Sequence, residues 1–415
     1  MSELRNFGKY CQKALKRLRF IPSLPASLLL LLVVAALRPV VHFRFFVASQ
    51  RIGHLWLAVL HHQEIRAVPQ GNNSQPRRGH TFFLTLWESR EQANLELAKQ
   101  FGQDCGWKFL PRHVLVPAIY LARLIGMSSF YMYEPEHELL EVRRVHRSQR
   151  PPESQVNARL TDCYLNLVTS LGLREDVPVA AILTRSHDYL KATLGGELQR
   201  HSYRNCSIDN YESSIRFLTA NNYQVIKVGR FGGDPLSVEI PGYCDYSISE
   251  LQSDAGDLAL AQCSSLIVSC SSGIDSIYHY HRVPMIGVNI PIVDARFKHF
   301  SVIMPKRMFV LRNENRIELP VISLTSPDMT WESSHPRWQG SPVIFQENSA
   351  EEVSEAVRLG VDLRKNPELR NEFLNRCAPY WDEFWNRSAM SNLHEVHVQD
   401  HPTLLVPNSV LDRFL

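Results

Sequence analysis

The chain has no C-x-x-C pair and no Cys/His cluster at metal-ligand spacing, although eight cysteines lie at positions 11, 105, 163, 206, 244, 263, 270 and 377. Without such spacing there is no sequence basis for a structural zinc site. Scattered thiols fit buried cysteines in a reducing compartment. Excess charge is also lacking: a net +3 over 415 residues gives no argument for a nucleic-acid partner. What is present is ample apolar material, 44% of the residues, enough for two domains or one large one.

The N-terminus concentrates the unusual features. Arg5, Lys9, Lys13, Lys16, Arg17 and Arg19 face only Glu3 in the first twenty residues, and no charge follows from Phe20 to Leu37. Pro22 and Pro25 shorten the strongly apolar part to Ala26–Leu37, roughly half of the ~20 residues that cross a bilayer. Three readings fit: a cleaved signal peptide, a buried core helix, or a monotopic or re-entrant anchor. The six cations favour the anchor, since they would lie on anionic headgroups. A membrane surface is therefore an expected partner.

Beyond the anchor, strand and helix patterns alternate. Val40–Ala48, His80–Trp87 and Trp107–Pro111 read as strands, with helical patterns from Leu55, Glu88 and Val114. Glu141–Gln155 is basic, polar and contains Pro151-Pro152, which marks a linker. In the second half Val177–Arg185, Tyr223–Gly229, Leu266–Cys270 and Pro284–Asn289 read as buried strands separated by helical segments. Such alternation implies parallel sheets with helices on their faces. The expected fold is α/β, with two Rossmann-like doubly wound domains after a short membrane-associated segment. The divisions fall at 1–39, 40–150, a linker and helix at 151–176, 177–364, and a helical tail at 365–415 that packs back on the first domain.

The turn Ser271-Ser272-Gly273 follows one strand and opens a helix. Serine and glycine there serve as an ordinary helix cap and turn, or they present N–H groups to a phosphate. Asp275 either caps the first turn or receives a ribose hydroxyl. Arg185, Gly229, Ser271 and Asn289 all fall at carboxyl ends of predicted strands, where ligands of such sheets bind. Lys306 reads most simply as a solvated lysine, with a phosphate or acceptor contact as the alternative. Ser349-Ala-Glu-Glu352 has the pattern of a capping box.

Five segments taken in order carry a resemblance: RIGHL at Arg51–Leu55, YRNCSIDNY at Tyr203–Tyr211, VIKVG at Val225–Gly229, CDYS at Cys244–Ser247 and FQENSAEEV at Phe345–Val353. Together with CSSGIDSIYHYHRVPMIGVN they resemble a bacterial family of GT-B glycosyltransferases with a heptosyltransferase-like donor domain. The departures are Lys227, where the pattern has arginine, and the polar Asp275. The resemblance implies transfer of a sugar from a nucleotide-sugar donor to a glycan or lipid-linked acceptor at the cytoplasmic face of the inner membrane. It implies Arg185, Arg204, Asn205, Gly229, Ser271, Ser272, Gly273 and Asn289 at the donor and His54 as general base. Arg51, Gly53, Asp188, Asp209, Asp275, Lys306 and Glu347 are the further donor or acceptor contacts. No D-x-D motif is present, so neither a metal nor another cofactor is expected. A nucleotide-sugar 2-epimerase and a non-catalytic nucleotide- or glycan-binding protein are the alternatives.

Overall fold

The computed structural model describes residues 21–37, 41–46, 80–86, 94, 96, 108–124, 157–186, 203–230, 233–270, 272–291, 300–312, 315–325, 343–390 and 405–414. The chain divides into two compact units, residues 1–153 and 154–415.

In the first unit, α1 (Leu24–Leu37) precedes β1 (Val41–Phe46), β2 (His80–Leu86) and β3 (Lys108–Leu110), which form a parallel sheet in that order. These β-branched and aromatic runs lie where the alternation predicts strands. Helix α2 (Arg112–Leu124) follows directly and packs on α1. Leu31 and Val34 of α1 are buried with Leu115, Ala118 and Ala122 of α2, whose alanines let the helices approach closely. The Ser27 hydroxyl donates to the Val114 carbonyl at 2.8 Å, so the one polar side chain of α1 is satisfied inside this contact. Among the described residues no helix is long and apolar enough to cross a membrane.

The second unit begins with α3 (Ala158–Ser170), capped by Asn157, and is built on β4 (Val179–Leu183), β5 (Gln224–Val228), β6 (Tyr243–Asp245), β7 (Leu266–Ser269), β8 (Met285–Ile290) and β9 (Phe300–Pro305). All neighbours are parallel and the order is β6-β5-β4-β7-β8-β9. Counted from β4 this is 3-2-1-4-5-6, the doubly wound order, whose direction reverses between β4 and β7. Strands β4, β5, β7 and β8 are buried along their whole length, which explains their unbroken apolar sequences.

Helices α4 (Glu212–Ala220) and α7 (Ala350–Lys365) pack together, and α7 also lies on β8 and β9. Helix α5 (Asp254–Cys263) packs with α3 and with α6 (Asp275–Tyr280), as right-handed crossovers on the opposite face require. The capping box at Ser349 and Glu352 opens α7 as the sequence predicts.

One element of the second unit was not expected from the sequence. An antiparallel sheet, β11 (Asn315–Leu319), β10 (Arg307–Arg312) and β12 (Val343–Gln346) in that order, follows β9 after the single residue Lys306. The C-terminal tail makes contacts within the second unit. Trp381 and Phe384 of α8 (Pro367–Met390) are buried edge-to-face against Phe414. The main chain of Leu405, Arg413 and Phe414 bonds to Ile303, Val321 and Ile322. Apolar area drives this docking.

Candidate functional site

The switch point of the six-stranded sheet organises the site. Leu183 of β4 and Ser269 of β7 are paired, and beyond them the chains separate into Arg185 on one side and Cys270 with the serine-glycine turn on the other. The Cys206 N–H donates to the Arg185 carbonyl at 3.1 Å, which draws Tyr203–Cys206 over the end of β4. Lys306, between β9 and β10, reaches the same place: its Nζ donates to the Asn205 carbonyl at 2.6 Å.

Lys306 is not the solvated lysine of the simplest sequence reading. It is only 4% exposed. Among the described residues it makes no ion pair with a carboxylate, and burial pulls its pKa down against the opposing charges of Cys206, Glu347 and Cys270. The Arg185 charge opposes the rise in the Cys270 pKa and the Arg204 charge that of Asp275, while both thiols oppose the fall at Lys306. Three cations thus converge on one carboxyl edge of the sheet.

Asp275 occupies the turn itself. Its carboxylate accepts from the Ser269 hydroxyl at 2.5 Å and from the Ser272 N–H at 2.8 Å. It holds the turn that leads into α6. Burial pushes its pKa up to about 7, opposed by these hydrogen bonds and the Arg204 charge. The Ser272 N–H that would meet a phosphate therefore already holds the chain's own carboxylate.

Asn289 and Glu347 also lie at this edge, held by other residues. Asn289 has φ 55°, is fully buried, and exchanges hydrogen bonds with Asn348: its N–H donates at 2.6 Å and its Oδ1 accepts at 2.7 Å. Its Nδ2 reaches the Tyr211 hydroxyl at 3.3 Å. With every polar side-chain atom engaged, Asn289 joins β8 to the start of α7. Glu347 Oε1 accepts from the Ser207 N–H at 2.5 Å and from Asn210 Nδ2 at 2.9 Å, fixing the segment after Cys206.

Gly229 ends β5 with φ +119°, a conformation that L side chains rarely adopt, and a Cβ there would lie 3.3 Å from Leu183 Cδ1. Asp209 binds the Ser237 N–H and hydroxyl at 3.0 and 2.9 Å, closing the loop after β5. Arg185, Arg204, Asn205, Ser272, Gly273, Asp275, Asn289, Lys306 and Glu347 thus belong to the carboxyl edge, with Gly229 and Asp209 beside it on the β5 side. Arg51, Gly53, His54, Asp188 and Ser271 lie outside the described residues. No group of three His, Cys, Asp or Glu side chains among the described residues is arranged to hold a metal ion.

Sequence reasoning missed Cys206, Cys270 and Tyr211. The Cys206 sulfur lies 3.5 Å from the Tyr211 hydroxyl. The Cys270 thiol bonds toward it, which is the main cause pulling the Cys206 pKa down and pushing that of Cys270 up. Their positions directly beside Asn205 and Ser271 were the available signal. Lys227, at the motif departure, is fully buried and pairs with Asp245 at 2.9 Å and the Asp234 carbonyl at 3.0 Å, so its role is to anchor β5 to β6.

No family model matches the chain, and no curated protein matches it. Among solved structures, that of the E. coli ADP-heptose LPS heptosyltransferase II is similar at a TM-score of 0.40 and 10% identity, over 66% of this chain and 92% of that one.

Proposed function

We propose that the second unit binds the diphosphate of a nucleotide-sugar and that the protein transfers the sugar to a glycan or lipid-linked acceptor. The observation that supports this best is Lys306: a buried ammonium with no carboxylate ion pair among the described residues, at the same carboxyl edge as Arg185 and Arg204 near the switch point of a doubly wound sheet. An unpaired buried charge is costly, and a bound anion relieves that cost. Two guanidiniums grip phosphate oxygens more strongly than neutral donors do.

In glycosyl transfer the bond from the anomeric carbon to the diphosphate breaks, and negative charge grows on the leaving oxygen. Fixed cations stabilise that charge in the transition state. Arg185, Arg204 and Lys306 fill this role in the reading, and no metal is needed for it. His54 is the proposed base that takes the acceptor hydroxyl proton if the reaction inverts. The lipid-linked acceptor goes with work at the cytoplasmic face of the inner membrane.

Calorimetric titration of the full chain with a panel of nucleoside diphosphates and nucleotide-sugars tests this. Binding of a diphosphate and not of the parent nucleoside is expected, with sugar transfer once the acceptor is supplied. No binding across the panel rejects the reading. Conversion of the donor to an epimer without an acceptor would make the protein an epimerase, and affinity without turnover would leave it a binding protein.

A further inference from the structure

Helix α1 is apolar all round apart from Ser27, yet among the described residues only its side toward α2 is buried. Ser27, Leu31 and Val34, spaced i, i+4, i+7, form the buried stripe against α2. At 100° per residue, Leu28, Leu29, Leu32, Val33 and Leu37 occupy the opposite arc, and all five are exposed, Leu29 at 62% and Leu32 at 66%. A helix that is hydrophobic on every side is normally enclosed by protein or lipid. A contiguous outward face of this kind marks an interaction surface.

The charge next to the face selects the partner. Six cations and one acid occupy the twenty residues that lead into the helix. A protein core gains nothing from such a run, whereas an anionic bilayer attracts it. The length selects the geometry. Fourteen residues extend about 21 Å, short of the ~30 Å hydrocarbon core. The Ser27 bond to Val114 and the α2 contact also keep one side of α1 on protein.

We infer that the uncovered face of α1 docks on an anionic lipid surface, with the helix lying in the membrane plane and α2 holding its other side. The leucines enter the acyl boundary while the preceding cations rest on headgroups. The inference is independent of the donor site, because its test involves no nucleotide.

Flotation of the full chain with vesicles of phosphatidylcholine alone, or with about a third phosphatidylglycerol, decides it. Bound protein should rise at least about tenfold with the anionic lipid and fall again in high salt. The double substitution Leu29→Lys with Leu32→Lys should remove flotation while the circular dichroism and melting curve stay unchanged, since both side chains are exposed. Absence of flotation, equal binding to neutral vesicles, or undiminished binding of the double variant overturns the inference. So does sedimentation showing a dimer that the double variant dissociates, because the face would then be a contact between copies.

Discussion

The Lys306 ammonium donates to the Asn205 carbonyl at 2.6 Å, so a buried cation at the end of β9 fixes the segment that carries Arg204. Two roles are therefore combined in one side chain, a tether and a charge. Replacement by methionine separates them. Lys306→Met removes the desolvated charge while keeping most of the volume, so the melting temperature should hold or rise. Nucleoside diphosphate affinity should fall about 10- to 100-fold for the loss of one charge-assisted contact. Calorimetry and a melting curve on the same sample check both; lower stability with unchanged affinity would leave Lys306 only the tether.

Asp275 gives the second unit a pH dependence of defined sign. Its pKa of about 7 exceeds the ordinary ~3.9 of an unfolded chain, so the folded state binds the proton more tightly. The associated stability is fully present below about pH 4 and is lost as pH rises through about 7. Asp257, buried and raised to about 6 chiefly by burial, adds the same sign in an overlapping window. Asp275→Asn removes the upper part while its amide oxygen still accepts from Ser272. Relative to the parent, the variant should gain on the order of a few kcal/mol more at pH 8 than at pH 4. Denaturant titrations at the two pH values measure this, and parallel curves for parent and variant would refute it.

Lys227 and Asp245 form a pair with almost no access to water, their side chains 1% and 10% exposed. Asp245 also accepts from the Ser247 N–H at 3.1 Å, so the pair reaches from the middle of β5 to the turn after β6. Lys227→Met should destabilise the protein by about 3–5 kcal/mol, because it strands a buried carboxylate. Adding Asp245→Asn should recover a large part of that loss. Urea unfolding of both variants tests the argument; if the double variant is as unstable as the single one, the loss comes from packing and not from the stranded charge.

The parts of the fold that were legible in the sequence are those determined by local pattern. β4, β5, β7 and β8 are buried on both faces and therefore appear as uninterrupted apolar runs, and Ser349 with Glu352 is a local reciprocal cap. Position at a strand's carboxyl end was enough to put Arg185 and Asn289 at one edge of the sheet. Their partners could not be read in the same way. The burial of Lys306 depends on two sheets meeting at one residue, and its exposed and buried forms look alike in sequence. Nor does the sequence distinguish a serine turn open to a ligand from one closed by Asp275, because both need the same residues. The β10–β11 hairpin did leave a signal, the alternation in RMFVL and RIEL around Asn313-Glu314-Asn315.

Gly360 of α7 faces Ile286 of β8 at close range. A Cβ there would fall within the van der Waals contact distance of the Ile286 side chain on β8, which is itself fully buried. Two effects of Gly360→Ala oppose each other. Alanine favours a helix interior over glycine by roughly 1 kcal/mol, while forcing a methyl group into a filled interface costs about 1–3 kcal/mol. The packing term should win, because the obstructing atoms include Ile286 Cγ1, close to the strand backbone and unable to swing away. Gly360→Ala alone should therefore lower stability. Ile286→Val alone should cost about 0.5–1.5 kcal/mol by removing a buried methyl. Combined, the two should be somewhat more stable than the sum of their separate effects, since Ile286→Val removes Cδ1, the nearer of the two obstructing atoms, and leaves Cγ1 in place. Chemical denaturation of the four proteins in this cycle gives the coupling directly, and simple additivity would mean that α7 shifts away from β8 instead.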